Sequence, residues 1–413
     1  MRPVAQNHTR PIWAEISAGS LRANYAALRH AAGERVDVLA VVKADAYGHG
    51  ATECAPVLAD AGARWLGVTS TEEGLAVRAS LGILPQGMAP RVLVMCGLWP
   101  GEEADCIDCA LTPVVWEPYH LDLLEAEARR RGMGPRSVAV HVEIDTGMAR
   151  QGVPPGALLD RLLERFSAAS PLLLEGVMTH LASTEVVDDP QNQVQTVAFA
   201  KALVQIAQAG QTPAWVHAGN TSSTDSGYVP RDLPALARCI GARAMTRAGL
   251  ALYGYALPLA QEHGLRSMPR HHLHTLRPVM KWKTRIVSLR EVLPGSTIGY
   301  NAAFVAPSAM RLALLPVGYA DGFRRGLSSS TQQPGGSVLL RGQRVPIVGR
   351  VSMDLTIVDV SAIPNAMIGE EVILIGWDKG AFVGADEHAA LAGTSVYEVL
   401  CGISNRVLRV VVD

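Results

Sequence analysis

Lys43 ends an apolar run in the segment AVVKADAYGHG and is followed by small and turn-forming residues. A lysine partly withdrawn from water gives up its proton more readily and can form a Schiff base with an aldehyde. Taken alone, the segment fits at least as well a lysine that closes a strand and reaches solvent. Other polar residues stand at comparable places. Arg150 lies in HVEIDTGMARQG, His180 in VMTHLAST, Asn220 and Thr221 in HAGNTSS, and Arg247 in MTRAGLALYG. Backbone N–H groups of Gly249 and Leu250, with the Thr221 hydroxyl, suit a phosphate. Neither GxxxxGK[ST] nor GxGxxG is present, so this is not a nucleotide loop. The inventory would serve an aldehyde cofactor that carries a phosphate. His49 and Tyr319 are further candidates for the same mouth, with a structural role equally open, and His217 reads as structural.

These residues work together only if the fold gathers them. VDVLAVV, RWLGVTS, RVLVMCG, TPVVWE, VAVHVEI, LLEGVMT, PAWVHAG and RAGLALY read as strands. Between them, SLRANYAALRHAA, HGATECAPVLADAG, TEEGLAVRAS, YHLDLLEAEARRRG and QNQVQTVAFAKALVQIAQAG read as amphipathic helices. Near-continuous apolar strands alternating with helices mean a parallel sheet covered by helices, and about eight units suit a closed (β/α)8 barrel. Such barrels carry their active sites at the C-terminal ends of the strands. All the candidates lie at or just past predicted strand ends except Arg247, which starts one. The pattern places this α/β barrel over 12–255, with residues near 12–16 able to pair with the C-terminal domain. A mostly β domain follows over 256–413, rich in Gly and Pro turns, with a helical stretch near 384–401. SSSTQQPGGS (328–337) reads as an exposed connection. No internal repeat stands out.

The chain has 413 residues, 48% of them hydrophobic, with 37 Lys and Arg against 38 Asp and Glu. That balance gives no reason to expect nucleic acid or a membrane surface as a partner. No apolar run reaches the length of a membrane span. The N-terminal MRPVAQNHTRPIWAE has basic residues with no hydrophobic signal core behind them, so a cytoplasmic protein is the simplest reading. Cys106-Ile-Asp-Cys109 has redox-like spacing but no second pair, so reduced thiols are the plainer reading and no metal site is expected.

In their order along the chain, AVVKADAYGHG, HVEIDTGMARQG, MTHLAST, HAGNTSS, RAGLALYG, GSTIGYNAAF, PVGYADGFRRG, GRVSMDLTIVDV and SVYEVLCGISNRV are similar to motifs of the alanine racemase family. These are pyridoxal-phosphate enzymes built on a β/α barrel plus a β domain, and the resemblance runs from about residue 12 to 410. It implies that Lys43 holds pyridoxal 5'-phosphate as a Schiff base and serves as one of two acid/base groups at the substrate Cα. Tyr300, from the second chain of a homodimer, would be the other. Arg247 would face the pyridine nitrogen, with His180 bonded into that arrangement. Arg150 would contact the cofactor's phenolic oxygen and help place the substrate carboxylate. Tyr47, Thr221, Gly249, Leu250 and Tyr397 would surround the phosphate, with Asn220 in support. Met353, with Asp354 beside it, would reach the substrate from the second chain. A phenol is a weak base until cationic surroundings favour its phenolate, and Arg247 acting through His180 would supply them. The implied activity is interconversion of L- and D-alanine, supplying D-alanine for peptidoglycan.

Several positions depart from the family pattern. Glu143 stands where many members carry a lysine that becomes carbamylated, which predicts a built-in carboxylate that orients Arg150. Gly299 and Asn301 flank Tyr300 where serine and glycine are usual, and Ser352 precedes Met353 where cysteine is common. These changes keep open a serine or broad-specificity racemase. A related decarboxylase would show a glycine-rich phosphate loop and a cysteine block, which are not found. A non-catalytic pyridoxal-phosphate barrel would lack the β domain.

Overall fold

Short apolar segments alternate with amphipathic ones, and each apolar segment must be covered on both faces. The computed structural model describes residues 9–82, 89–261, 266–268 and 273–413. Two compact units result. One holds the described residues up to Gly19, Tyr47–Glu53 and Pro278–Asp413; the other holds Ser20–Ala46 and Cys54–Arg277.

The first strand, β1 (Ile12–Ser17), belongs to the unit that contains the C-terminal residues. The other unit is a closed parallel barrel of eight strands: β2 (Val36–Val41), β3 (Trp65–Val68), β4 (Arg91–Val94), β5 (Leu111–Val115), β6 (Val138–Glu143), β7 (Leu172–Met178), β8 (Trp215–His217) and β9 (Arg243–Ala248). Strands β9 and β2 pair in parallel and close the ring. Helices start where capping chemistry permits. Ser70 accepts the Glu73 N–H to open helix Thr71–Ser80, and Asp189 followed by Pro190 opens helix Pro190–Gln208.

One register irregularity matters below. Between β6 and β7, Val140 is opposite Leu174 but His141 is opposite Gly176, so Glu175 is the extra residue of a bulge. A Cβ on Gly176 would lie 2.6 Å from the His141 ring, so only glycine fits there.

The eighth barrel strand differs from the expectation. The sequence pattern puts the apolar run LALY in a strand that Arg247 begins. The strand is Arg243–Ala248, with Arg247 next to its last residue, and Leu250–Tyr253 form a buried 3-10 turn. Two arginines in RAMTRA hid the strand, while burial of a turn mimicked one. The correction moves Arg247 to the C-terminal end, where the other candidates stand.

In the second unit, β1 pairs with Met280–Arg285 on one side and Leu408–Val412 on the other. That sheet continues through Glu371–Asp378 and Ser337–Leu340 to Gln343–Pro346. A three-stranded sheet of Ser288–Val292, Met310–Leu315 and Thr356–Asp359 completes the β framework with a small hairpin, Thr297–Ile298 with Phe304–Val305. The expected helical stretch is two helices, Ala385–Ala392 and Val396–Cys401, separated at left-handed Gly393. Residues 328–337 are more than an exposed connection. Ser329 is buried and accepts the Gly349 N–H, and Ser328 accepts the Val351 N–H, bracing the segment that leads to Met353.

Candidate active site

Strand β2 ends at Val41, and the chain then turns left-handed. Ala44, Asp45, Ala46 and Tyr47 have φ of 50°, 54°, 54° and 53°, followed by Gly48 at 78°. This conformation costs an L-residue roughly 1–2 kcal/mol each, so a run of four non-glycine residues persists only where surrounding contacts hold it. In the barrel unit, Ala46 N–H donates to Val42 O at 2.9 Å. Glu73 gives the firmest support. Its Oε1 accepts the Ala44 N–H at 2.7 Å, and its Oε2 accepts the N–H and hydroxyl of Thr69 at 2.8 and 3.0 Å. One carboxylate thereby ties the turn after β2 to the loop after β3, and Lys43 stands at the start of that turn. Lys43 is partly buried, with no hydrogen bond or ion pair to any described residue.

Arg247 is 5% exposed. Its NH2 donates to Thr179 O at 2.8 Å and His180 Nδ1 at 3.1 Å, and its NH1 donates to His217 Nδ1 at 3.2 Å. Burial, opposed by Glu143 and assisted by Arg150, pushes its pKa down to about 10, which leaves it charged at neutrality. His180 is pushed down to about 3, by burial first and then by the charges of Arg247, Arg150 and Lys43. It is neutral, and since arginine can only donate, its proton sits on Nε2. Gln195 fixes the segment behind it, donating to His180 O at 2.9 Å and accepting the Ala182 N–H at 2.8 Å. Lys43 and Arg150 act electrostatically on both His180 and Cys96, so the barrel brings Lys43, Arg150, His180 and Arg247 to one end.

Asn220 caps the short helix Thr221–Asp225, accepting the Ser223 N–H at 3.0 Å and donating to Thr184 Oγ1 at 3.0 Å. Thr221 Oγ1 accepts the Ala251 N–H at 3.2 Å, joining this helix start to the turn that follows Gly249 and Leu250. A free amine, a hydroxyl beside a helix start and a permanent donor on neutral acceptors are what pyridoxal phosphate requires for its aldehyde, phosphate and ring nitrogen, so these residues fit that group.

The other expected residues lie in the second unit. Tyr47 and Tyr397 have ring centroids 6.0 Å apart, and burial, followed by the neighbouring Tyr397 and Cys401, raises the Tyr47 pKa. His49 is fully buried, and its Nδ1 is 3.0 Å from Tyr47 O. Tyr300, Met353 and Tyr319 are 68%, 54% and 44% exposed. The Tyr319 N–H donates to Ser352 O at 3.0 Å, pinning its turn to the Met353 segment. Asp354 is ion-paired with Arg406 at 2.6 Å and Arg10 at 3.6 Å.

The residues match the alanine racemase N-terminal domain over 16–257 and the alanine racemase C-terminal domain over 279–411. The chain belongs to the alanine racemase family. It is 36% identical to the alanine racemase of Symbiobacterium thermophilum over 404 residues, covering 97% of each chain. The alanine racemase structure from Streptomyces coelicolor A3(2) superposes with a TM-score of 0.83 at 31% identity, covering 98% of this chain and 99% of that one. A structure of the Bartonella henselae alanine racemase with covalently bound pyridoxal phosphate gives a TM-score of 0.77 at 25% identity, covering 97% and 99%.

Two expectations within this alanine racemase framework gain detail. The sequence pattern has Glu143 orienting Arg150, and among the described residues no hydrogen bond joins the two. Glu143 closes β6 as a 2% exposed side chain, and it accepts from the Gln151 amide, which also donates to Met95 O at 3.0 Å. Arg150 lies exposed on the loop and acts on Glu143 only through charge. Burial raises the Glu143 pKa against the pull of Gln151, Arg247 and Arg150. His217, read as structural, touches Arg247 directly. Glu73, Gln151 and Gln195 were not foreseen. Glu73 is three residues past the cap at Ser70, yet its partner across the loop is invisible without the fold.

Glu73→Ala should remove one hydrogen bond from the lysine turn and two from the Thr69 loop beside it, while Glu73→Gln keeps some of them. Amide exchange at Ala44 should quicken by about tenfold or more in the alanine variant, in proportion to roughly 1–3 kcal/mol of lost support. Unchanged exchange would show that the turn is held by other means.

Burial also depresses His120 and His388 to about 4 and His180 to about 3, and it lowers His141 and His217 as well. An unfolded chain protonates such rings below about pH 6.5. Between there and their folded values the unfolded state binds more protons, so stability falls as pH drops through this window. Glu143 and Asp321 work in the opposite sense but are two groups against five. The guanidinium midpoint should therefore decrease between pH 7 and pH 5; a flat midpoint would contradict neutral buried imidazoles.

Proposed function

We propose that the chain is a pyridoxal-phosphate-dependent alanine racemase that works as a homodimer, with the cofactor held covalently at Lys43. The observation that carries this reading is the grouping, at one barrel end, of an unpaired Lys43, a neutral His180 and a buried Arg247 fixed by neutral acceptors. Bound pyridoxal phosphate would draw electrons from the substrate and acidify its Cα hydrogen. Lys43 Nζ takes or returns that proton on one face. Tyr300 of the partner subunit serves the opposite face through its phenolic oxygen, because two fixed groups avoid moving one base around the substrate. His180, with its proton on Nε2, has a donor free to stabilise the phenolate. Arg247 presents a permanent N–H to the ring nitrogen rather than a proton it can give up, which favours prompt return of the proton to Cα. Arg150 receives the substrate carboxylate. Thr221 with Gly249 and Leu250 holds the phosphate, together with Tyr47 and Tyr397. The exposure of Tyr300 and Met353 supports a site completed by a second chain, since large apolar side chains left in water mark interaction surfaces. The product D-alanine would enter peptidoglycan. Glu143 supplies a carboxylate without carbon dioxide.

Incubation with a panel of L-amino acids in deuterated water, followed by chiral chromatography and mass detection, should give D-alanine as the dominant product, deuterated at Cα. Several D-products would make the protein a broad racemase and point to Gly299 and Asn301. No D-product from cofactor-loaded protein would end the racemase reading.

The shared site has its own test. Lys43→Ala and Tyr300→Phe should each be inactive as purified homodimers. Dissociated and reassembled together, they should recover roughly a quarter of wild-type activity, because half the dimers are mixed and one of their two sites is intact. If both residues acted within one chain, the mixture would stay inactive.

A further inference from the structure

The barrel interior holds polar groups that the proposed reaction does not use. His217 Nε2 is 2.8 Å from His141 Nδ1, and both rings are fully buried. His141 Nε2 faces Glu175 Oε2 at 3.5 Å, and neither atom hydrogen-bonds elsewhere. The other Glu175 oxygen pairs with Arg91 NH1. Arg91 NH2 donates to Thr112 Oγ1 at 3.0 Å, and its guanidinium carbon lies 4.4 Å from the centre of the Trp65 ring. Arg91, Trp65 and Thr112 stand at the starts of their strands, whereas Arg247 stands near the end of β9. The series therefore runs through the barrel from one end to the other.

Its direction is fixed. Arg247 has no acceptor, so its NH1 donates to His217 Nδ1. His217 then carries its proton on Nε2 and donates to His141 Nδ1. His141 in turn carries its proton on Nε2, facing the carboxylate. Reversing any link would bring two N–H groups together at Arg247. Burial keeps both rings neutral. Burial alone would raise the Glu175 pKa, but His141 and Arg91 overcome it and hold the carboxylate at about 2.

The backbone is shaped for this series. The β6–β7 bulge inserts Glu175, and Gly176 leaves the space that the His141 ring fills. Bulges re-aim side chains in this way.

We propose that His141 and Glu175 are positioning residues that fix the tautomer of His217 and, through it, the orientation of Arg247. A carboxylate that attracts the His141 proton makes its Nδ1 a better acceptor, which makes His217 Nδ1 a better acceptor for Arg247. The arginine is thereby held by a chain whose far end lies across the barrel. This inference rests on the role proposed above for Arg247.

The test compares His141→Gln with His141→Phe in the full-length protein. Glutamine offers an acceptor to His217 and a donor to Glu175, so it restores the series without a ring. Phenylalanine keeps the ring and removes both functions. Nitrogen-15 histidine spectra of the cofactor-free wild type should show His217 and His141 neutral with the proton on Nε2. In the cofactor-loaded enzyme, His141→Phe should lower kcat by about tenfold with KM little changed, and His141→Gln should stay within about threefold of wild type, the scale of one hydrogen bond. A proton on His217 Nδ1 overturns the proposal, and so does a folded phenylalanine variant as active as wild type or more active than the glutamine variant. If the variants do not fold, the wild-type tautomers still decide. Should the wild type fail to racemise any amino acid, the functional reading falls, while the spectra still settle the direction of the series.

Discussion

A guanidinium buried without a carboxylate partner is the constraint on which the barrel end depends. Arg247 has no ion pair among the described residues, and its donors meet a carbonyl and two imidazoles. A buried charge is costly unless every donor is satisfied, and a cationic imidazole beside it would be worse. His180 and His217 must therefore be neutral, and each must turn an unprotonated Nδ1 toward the arginine. Those two requirements fix the remaining proton of each ring. One proton faces the barrel mouth and the other faces the interior, so the charge on Arg247 organises groups on both sides of it. A carboxylate in direct contact would satisfy the charge more simply. It would also cancel the field that the proposed contact of Arg247 with a ring nitrogen needs.

The lysine is placed by a different kind of constraint. Residues 44–48 adopt a backbone that L-residues avoid, and the cost is met by contacts made within each unit separately. In the barrel unit the Glu73 carboxylate gathers donors from two loops. In the other unit Arg409 donates to Gly48 O at 3.0 and 2.9 Å, and a Cβ on Gly48 would sit 2.1 Å from Leu400 O. Glycine is required there for space as well as for φ. The part of the turn in the barrel unit, tied down by Glu73, holds Lys43 on a backbone with few alternatives, which suits the role proposed for it.

The barrel was legible because its strands are apolar on both faces, as parallel strands must be. The helix Thr71–Ser80 coincides with the expected TEEGLAVRAS, since Ser70 and the acidic first turn mark its start. Strand β9 was misplaced because a buried 3-10 turn carries the same hydropathy as a strand, while the strand itself carries arginines. The candidate site residues stand in recognisable motifs, and strand order places Lys43, Arg150, His180 and Arg247 at one barrel end. What stayed hidden depends on distance across the fold. Nothing local says that Glu73 reaches Ala44, or that Gln151 rather than Arg150 meets Glu143. The bulge that aims Glu175 inward is a one-residue change of register, and LLEGVMT reads as an ordinary strand.

The hairpin that bears Tyr300 shows how the departures beside it are tolerated. Beneath it lies a buried cluster of Ile298, Ala306, Met310, Leu312 and Val348, against which Phe304 packs. Above that base, Gly299 has φ of 74°, Asn301 of 58° and Ala302 of 48°. Asparagine enters the left-handed region more readily than other non-glycine residues, so Asn301 preserves a turn that glycine would otherwise make. Gly299 is close-fitting as well, for a Cβ there would come 3.3 Å from Arg350 N. The backbone around the phenol is thus constrained on both sides while the phenol itself stays exposed. A change of substrate preference at this hairpin would then arise from the Asn301 amide and the hydroxyl missing at Gly299, with Tyr300 itself left in place.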